Sequence, residues 1–188
     1  MIIGISGKRG RGKSTAAQIL HEELGFEVLH FGDNLKDQVC DKFNLDREYY
    51  DNHDKKDELI KQLPLNCKDA LASTIYKFYG DYISTHWTFR HLCIYYGNAM
   101  RTIDQYYWVK LLMTRAQMFE NVAIGDVRFL TEVERIKKYG GVNVRVKRYL
   151  EMTPYAEDID DDSETQLDDY PFDEYISNNG SKEYLKTM

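Results

Sequence analysis

An eight-residue segment, Gly7-Lys8-Arg9-Gly10-Arg11-Gly12-Lys13-Ser14, constrains this chain more than any other part of it. It fits GxxxxGK[ST] at every fixed position. Its glycines let the backbone wrap closely, with successive N–H groups turned inward, and such a concavity takes phosphate. The apolar run Ile2 to Ser6 ahead of it reads as a buried strand. Behind it Ala16, Ala17, Leu20 and Leu24 recur at helical spacing, and Gly25 closes that segment. A helix starting at the loop adds its positive N-terminal end to the same anion. In this setting Lys13 reaches the β- and γ-phosphates of a nucleoside triphosphate, and the Ser14 hydroxyl can ligate Mg²⁺. Gly7 through Thr15 are therefore the expected ATP-binding residues. Arg11 occupies a slot that more often holds a small residue, so its side chain must point away from the nucleotide or toward its far phosphates.

The remaining pattern alternates strands and helices. Glu27 to Phe31 reads as a second strand, followed by a helix opening near Asp33 or Asn34 and carrying Leu35, Val39 and Phe43. Asp46 to Lys61 reads as an exposed loop with a helical turn. Cys67, Leu71, Ile75 and Phe78 predict a helix closed by Gly80. Thr88 can cap another, carrying Phe89, Leu92, Cys93 and Tyr96 and stopping at Gly97. Trp108, Leu111, Leu112 and Phe119 line a helix after Asp104. Val122 to Asp126 is a third strand, and Thr131 with Glu134 resembles a capping box on a helix ended by Gly140-Gly141. Val142 to Val146 and Phe172 to Ile176 complete the strands, and Ser181 to Met188 forms a closing helix. Strands alternating with helices imply an α/β fold, a parallel sheet covered on both faces.

Charge narrows the function. The net charge of −6 is concentrated: Glu157 to Glu174 holds ten acidic residues and no Lys or Arg. The rest carries 25 basic against 21 acidic residues, a net of +4. A mildly basic body suits phosphates but not a nucleic-acid groove. No apolar run approaches the ~20 residues that span a membrane, and Met1 to Ile5 lacks the basic leader of a signal peptide. Cys40, Cys67 and Cys93 are odd in number and form no CxxC pair, as expected of free thiols in the cytoplasm.

Gly125-Asp126-Val127-Arg128 ends the third strand. A carboxylate there, beside the loop-bearing strand, can hold a Mg²⁺-bound water. Arg128 would project into the same crevice at the carboxyl ends of the strands. Lys13, Asp126 and Arg128 are the candidate catalytic residues, and Ser14 and Asp126 the candidate metal ligands.

Beyond these, the chain resembles the phage-type deoxynucleoside monophosphate kinases. The resemblance runs through Gly4-Ile5-Ser6-Gly7-Lys8, Phe31-Gly32-Asp33-Asn34-Leu35-Lys36, Arg90-His91-Leu92, Gly97, Arg101 and Trp108-Val109. It continues in Asp126-Val127-Arg128-Phe129, Glu132, Gly140-Gly141, Arg148, Ser163-Glu164 and Ile176-Ser177-Asn178-Asn179-Gly180-Ser181. It implies a P-loop monophosphate-kinase fold: a three-layer sandwich around a five-stranded parallel sheet, with a core (1–32, 102–150 and 167–188), a helical substrate flap (33–101) and a short lid (151–166). It implies transfer from ATP, with Mg²⁺, to a dNMP. Asp33, Lys36, Arg90, Arg101 and Arg128 would then surround the acceptor phosphate, and Arg148 would serve ATP. Arg145 and Arg148 stand at the base of a lid that is acidic where such kinases often bring arginines. Ile94 stands where a base-facing Gln is expected, so discrimination among bases should be loose.

Other classes are weighed against this. A regulatory GTPase needs DxxG and NKxD, and neither string occurs. A kinase acting on a modified base in DNA would want a basic channel, which the acidic run opposes. A kinase for another small phosphorylated acceptor stays open, as does a homodimer. The expected partners are small nucleotides, with no nucleic acid and no membrane.

Overall fold

A computed structural model describes residues 1–52, 55–60, 87–148, 165–180 and 182–187. The helix expected from Cys67 to Phe78, Cys67 itself, the lid from 151 to 164 with Ser163-Glu164, and the acidic run up to 164 lie outside these residues. The elements are β1 (Ile2–Ser6), α1 (Lys13–Leu24), β2 (Glu27–Leu29), α2 (Phe31–Phe43), α3 (Arg47–Asp51), α4 (Phe89–Ile103), α5 (Tyr107–Ala116), β3 (Val122–Val127), α6 (Leu130–Lys138), β4 (Val142–Lys147), β5 (Glu174–Ser177) and α7 (Lys182–Lys186). Among the described residues no helix is long and apolar enough to cross a membrane.

The strands form one sheet in the order β2-β3-β1-β4-β5. All pairings are parallel, with Ile2 opposite Val122, Ser6 opposite Arg145, Leu29 opposite Ile124 and Lys147 opposite Ser177. Alternation along β1 distributes the helices. Ile3 and Ile5 point to one face, where Ala16, Ala17, Phe26, Val146 and Leu185 pack from the strands, α1, α7 and the loop between α1 and β2. Gly4 points to the other, where a Cβ would lie 2.6 Å from Ile136 of α6. Two covered faces make the expected α/β three-layer architecture.

The chain divides into two compact units, 1–31 with 109–188, and 32–108. The first contains the sheet. In the second, Val39, Phe43, Trp87, Phe89, Leu92, Tyr96 and Trp108 are buried. Tyr50 stacks on Phe89 with ring centroids 4.7 Å apart, and the Tyr96 and Tyr107 hydroxyls both reach Oε1 of Gln38, at 3.3 and 3.0 Å. These aromatics pack the unit. Burial pushes the Cys40 thiol up to about 11 and the Cys93 thiol to about 12, which keeps both as unreactive thiols.

Several boundaries differ from the sequence reading. Thr88 does cap α4, accepting from the His91 N–H, but the helix runs through Gly97 to Ile103. Gly97 lacks the positive φ of a helix-ending glycine. Its small size serves packing instead, because an added Cβ would lie 3.3 Å from Arg101 and 3.4 Å from Leu35. The second strand stops at Leu29, because the Phe31 N–H bonds Oδ1 of Asp126 (2.8 Å) and opens α2 there. The capping carboxylate of α6 is Glu132, not Glu134. Buried Glu132 accepts from the N–H groups of Arg128 (2.7 Å) and Phe129 (3.0 Å). The sequence pairing of Thr131 with Glu134 is two residues late.

Two outcomes follow from this wiring. Replacing Glu132 with Ala leaves two donors without their acceptor and should lower the unfolding free energy by about 2–3 kcal/mol in denaturant titration. Asp173 accepts from the Asn143 N–H (2.7 Å) and pairs with Lys137 (2.6 Å), so its carboxyl sits below the usual carboxylate range. A depressed folded-state pKa stabilises above the unfolded value and is lost as pH falls through the folded one. Thermal melts should therefore show Asp173→Asn less stable than the parent by about 0.5–1.5 kcal/mol at pH 7, with the gap closing as pH drops below 4.

Candidate functional site

Because every strand is parallel, the carboxyl ends of β1, β3, β4 and β5 share one edge of the sheet. The glycine-rich loop leaves β1 there. Gly7, Gly10 and Gly12 have φ of 152°, 75° and 99°, values that L side chains rarely adopt. A Cβ on Gly7 would lie 2.6 Å from the Val146 carbonyl, so the loop lies against β4. Gly12 is the N-cap of α1 and has no side chain with which to cap it, leaving the helix end suited to an anion. Lys13 folds back, its Nζ donating to the carbonyls of Gly7 (2.5 Å) and Lys8 (3.0 Å). Ser14, Arg9 and Gly10 are exposed, Thr15 half-buried.

Buried Asn178, just past β5, buttresses this loop. Its amide donates to the Arg11 carbonyl (2.9 Å), its own N–H bonds the Lys147 carbonyl (2.7 Å), and a Cβ on Gly12 would collide with it. The Arg11 side chain turns toward Arg148, donating to its carbonyl at 2.6 Å. Arg148 Nε is buried with no hydrogen-bond partner among the described residues.

Beside the loop lies a cleft of about 260 Å³. Lys8, Arg11, Arg145, Lys147 and Arg148 line it, with Asp168, Val146, Phe172 and Tyr175. Arg145 is buried and makes three hydrogen bonds: it donates to Ser6 Oγ (3.2 Å), the Leu167 carbonyl (3.4 Å) and Asp168 Oδ1 (2.7 Å), above the Phe172 ring. Asp168 also pairs with Lys8 at 2.9 Å. Burial alone would raise the Asp168 carboxyl, but Lys8 and Arg145 outweigh it and hold it below the usual range.

Asp126 stands at the end of β3, adjacent to β1. Besides the Phe31 N–H, Oδ1 faces His30 Nδ1 at 3.9 Å. His30 in turn needs Gly125, where a Cβ would meet its ring. Arg128 follows β3 directly on the turn that Glu132 holds, and its side chain is half-buried. Ser14 offers a hydroxyl and Asp126 a carboxylate, oxygen donors of the kind Mg²⁺ takes alongside waters and substrate phosphates. Among the described residues no cluster of three His, Cys, Asp or Glu side chains offers an alternative metal cage.

Asp33, Lys36, Arg90 and Arg101 belong to the second unit. Lys36 pairs with Asp51 (3.1 Å) and lies 3.9 Å from Asp33, and Arg90 makes a two-pronged bond to Asp57 (2.9 Å at Nη2). Arg101 Nη1 reaches Asn98 Oδ1 at 3.2 Å. Burial raises the Cys93 thiol, and the opposing pull of Lys36, Arg47 and Arg90 does not offset it.

Sequence reasoning missed Arg47, which pairs with Asp33 (3.6 Å), Asp37 (2.8 Å) and Asp51. It also missed His30, and it counted Asp168 only as one of the ten acidic residues between Glu157 and Glu174. Asn178 was visible only as part of a family-like ending.

No family model matches the chain. A protein of Acanthamoeba polyphaga mimivirus, whose name (itself an inference) is deoxynucleotide monophosphate kinase, is 28% identical over 155 residues, 79% of this chain and 74% of its own length. Among solved structures, dephospho-CoA kinase from Campylobacter jejuni aligns with 99% of this chain and 92% of its own, at 11% identity and a TM-score of 0.49. Shikimate kinase from Aquifex aeolicus aligns with 100% and 92%, at 15% identity and a TM-score of 0.42. In the motifs of its own sequence and in this viral relative, the chain resembles the deoxynucleoside monophosphate kinases.

Proposed function

We propose that this chain is a phosphotransferase that moves the γ-phosphoryl of ATP to a deoxynucleoside monophosphate, giving ADP and the deoxynucleoside diphosphate. The observation that carries this reading is the glycine loop Gly7–Ser14 closed over the N-terminus of α1, with Asp126 at the end of the adjoining strand. The acceptor class draws support from the name of the viral relative and from the spaced cations Lys36, Arg90, Arg101 and Arg128.

Phosphoryl transfer asks mainly for positioning and charge neutralisation. The loop N–H groups and Lys13 hold the β- and γ-phosphates; in support of this, Lys13 Nζ lies against the Gly7 and Lys8 carbonyls of that loop. Asn178 ties the loop to the end of β5 through the Arg11 carbonyl. Ser14 and Asp126 would hold Mg²⁺, which when bound neutralises charge on the polyphosphate. Arg128 receives the acceptor phosphate beside that end of the sheet. With a second pKa near 6, an acceptor phosphate is mostly dianionic at neutral pH, so its oxygen can attack without a protein base. Half-buried Ile94 offers an apolar contact where an amide would read hydrogen-bonding edges, so several bases should be accepted. The acidic stretch toward Glu174 disfavours a DNA polyanion as acceptor.

Incubating the protein with labelled ATP and either mixed dNMPs or DNA carrying hydroxymethylated pyrimidines tests the reading. Label is expected in dNDPs and absent from DNA; the reverse pattern would replace the acceptor. Lys13→Ala should reduce kcat by at least about 100-fold, some 2.7 kcal/mol of barrier, without shifting the thermal midpoint. Turnover retained within about tenfold contradicts the loop's role. Arg128→Ala should weaken dNMP binding by about 1.5–3 kcal/mol and leave ATP affinity unchanged. Separate calorimetric titrations distinguish the two ligands, and a defect confined to ATP contradicts the assignment.

A further inference from the structure

Asp168 sits at the phosphate-binding loop, where a carboxylate is the wrong charge for the expected ligand. One oxygen, Oδ1, accepts from buried Arg145 at 2.7 Å, which anchors the carboxylate on that side. The other, Oδ2, meets Lys8 of the loop at 2.9 Å. The two halves differ in permanence. Arg145 is tied to β1 through Ser6 and to the Leu167 carbonyl, and its guanidinium lies 5.3 Å from the Phe172 ring centre. Lys8 is half exposed on a long flexible stem. An exposed Lys–carboxylate pair is weak enough to be exchanged for a more highly charged anion.

We propose that Asp168 is a latch on the nucleotide site: it holds Lys8 in an ion pair that an incoming polyphosphate must break before that lysine can serve the phosphates. The proposal rests on reading the Gly7–Ser14 loop as a nucleotide site. With Arg145 fixed beside it, the carboxylate stays in place after Lys8 leaves, and its field then opposes the bound polyphosphate. Both effects weaken nucleotide binding relative to a site without the carboxylate. The latch thus lowers affinity for ATP and ADP alike and favours release of the diphosphate. Asp168 stays ionised throughout the neutral range, since its two cations hold its carboxyl below the usual values.

Calorimetric titration of the full chain with ATP, and separately with ADP, tests this. Asp168→Asn keeps an oxygen for Arg145 and removes the charge; it should bind both nucleotides about two- to fivefold tighter than the parent. The gain should shrink at 0.5 M salt and be clearly smaller when Lys8→Gln is already present, where only the field of the carboxylate is left to remove. Asp168→Glu, which keeps the charge, should stay near parental affinity. Asp168→Ser serves the same comparison if the asparagine variant folds poorly by thermal melt. Unchanged or weaker binding in both neutral variants overturns the latch, as does a gain that persists in full without Lys8. If the parent itself binds neither nucleotide, the loop reading fails instead, and the two failures are thereby distinguished.

Discussion

The close approach of the glycine loop to its supports is the contact on which the site depends. Gly7 passes the Val146 carbonyl with no room for a side chain, and Gly12 does the same against Asn178. These approaches are possible only because both residues occupy φ values open to glycine. They join three neighbouring strands at one point: β1 supplies the loop, β4 the carbonyl against it, and the residue after β5 the amide that grips the Arg11 carbonyl. The parallel sheet is therefore part of the site. It brings the strand ends to one edge and gives a strongly curved loop something rigid to lean on.

Legibility in the sequence follows the range of the interactions. The loop, β1, α1 and the strands at 122–127 and 142–147 were readable because glycine spacing and unbroken apolar runs are local signals. Thr88 was readable as a cap for the same reason. Gly97 misled, because a glycine that stops a helix and one that admits Leu35 look alike until the packing is known. The capping carboxylate was placed two positions late, at Glu134, because Glu132 serves Arg128 and Phe129 on the entry turn, a register no propensity fixes. Arg47 was not readable at all: its acidic partners come from α2 and α3, and only the fold collects them.

Charge shows the same limit more sharply. Ten acidic residues between Glu157 and Glu174 invite a single description as solvated surface. Within that run Asp173 secures the start of β4 through the Asn143 N–H, and Asp168 joins Arg145 to Lys8. Each is a specific acceptor with an identified donor, and a count of charges cannot separate such residues from their neighbours.

Asp168 also explains why so many cations tolerate one another around a small cleft. Lys8, Arg11, Arg145, Lys147 and Arg148 would repel strongly if all were unscreened. Arg145 is buried, where an uncompensated charge is costliest, and it holds the shortest bond to Asp168. Lys147 lies over the Tyr175 ring, 4.1 Å from its centre, and Arg11 discharges part of its field onto the Arg148 carbonyl. The arrangement thus sorts its cations. Arg145, the deepest, is committed to structure, while those nearer the surface are held by contacts that a phosphate can replace. On the proposed reading of the loop as a nucleotide site, that division would let a polyanion bind and leave without disturbing the groups that hold the fold together.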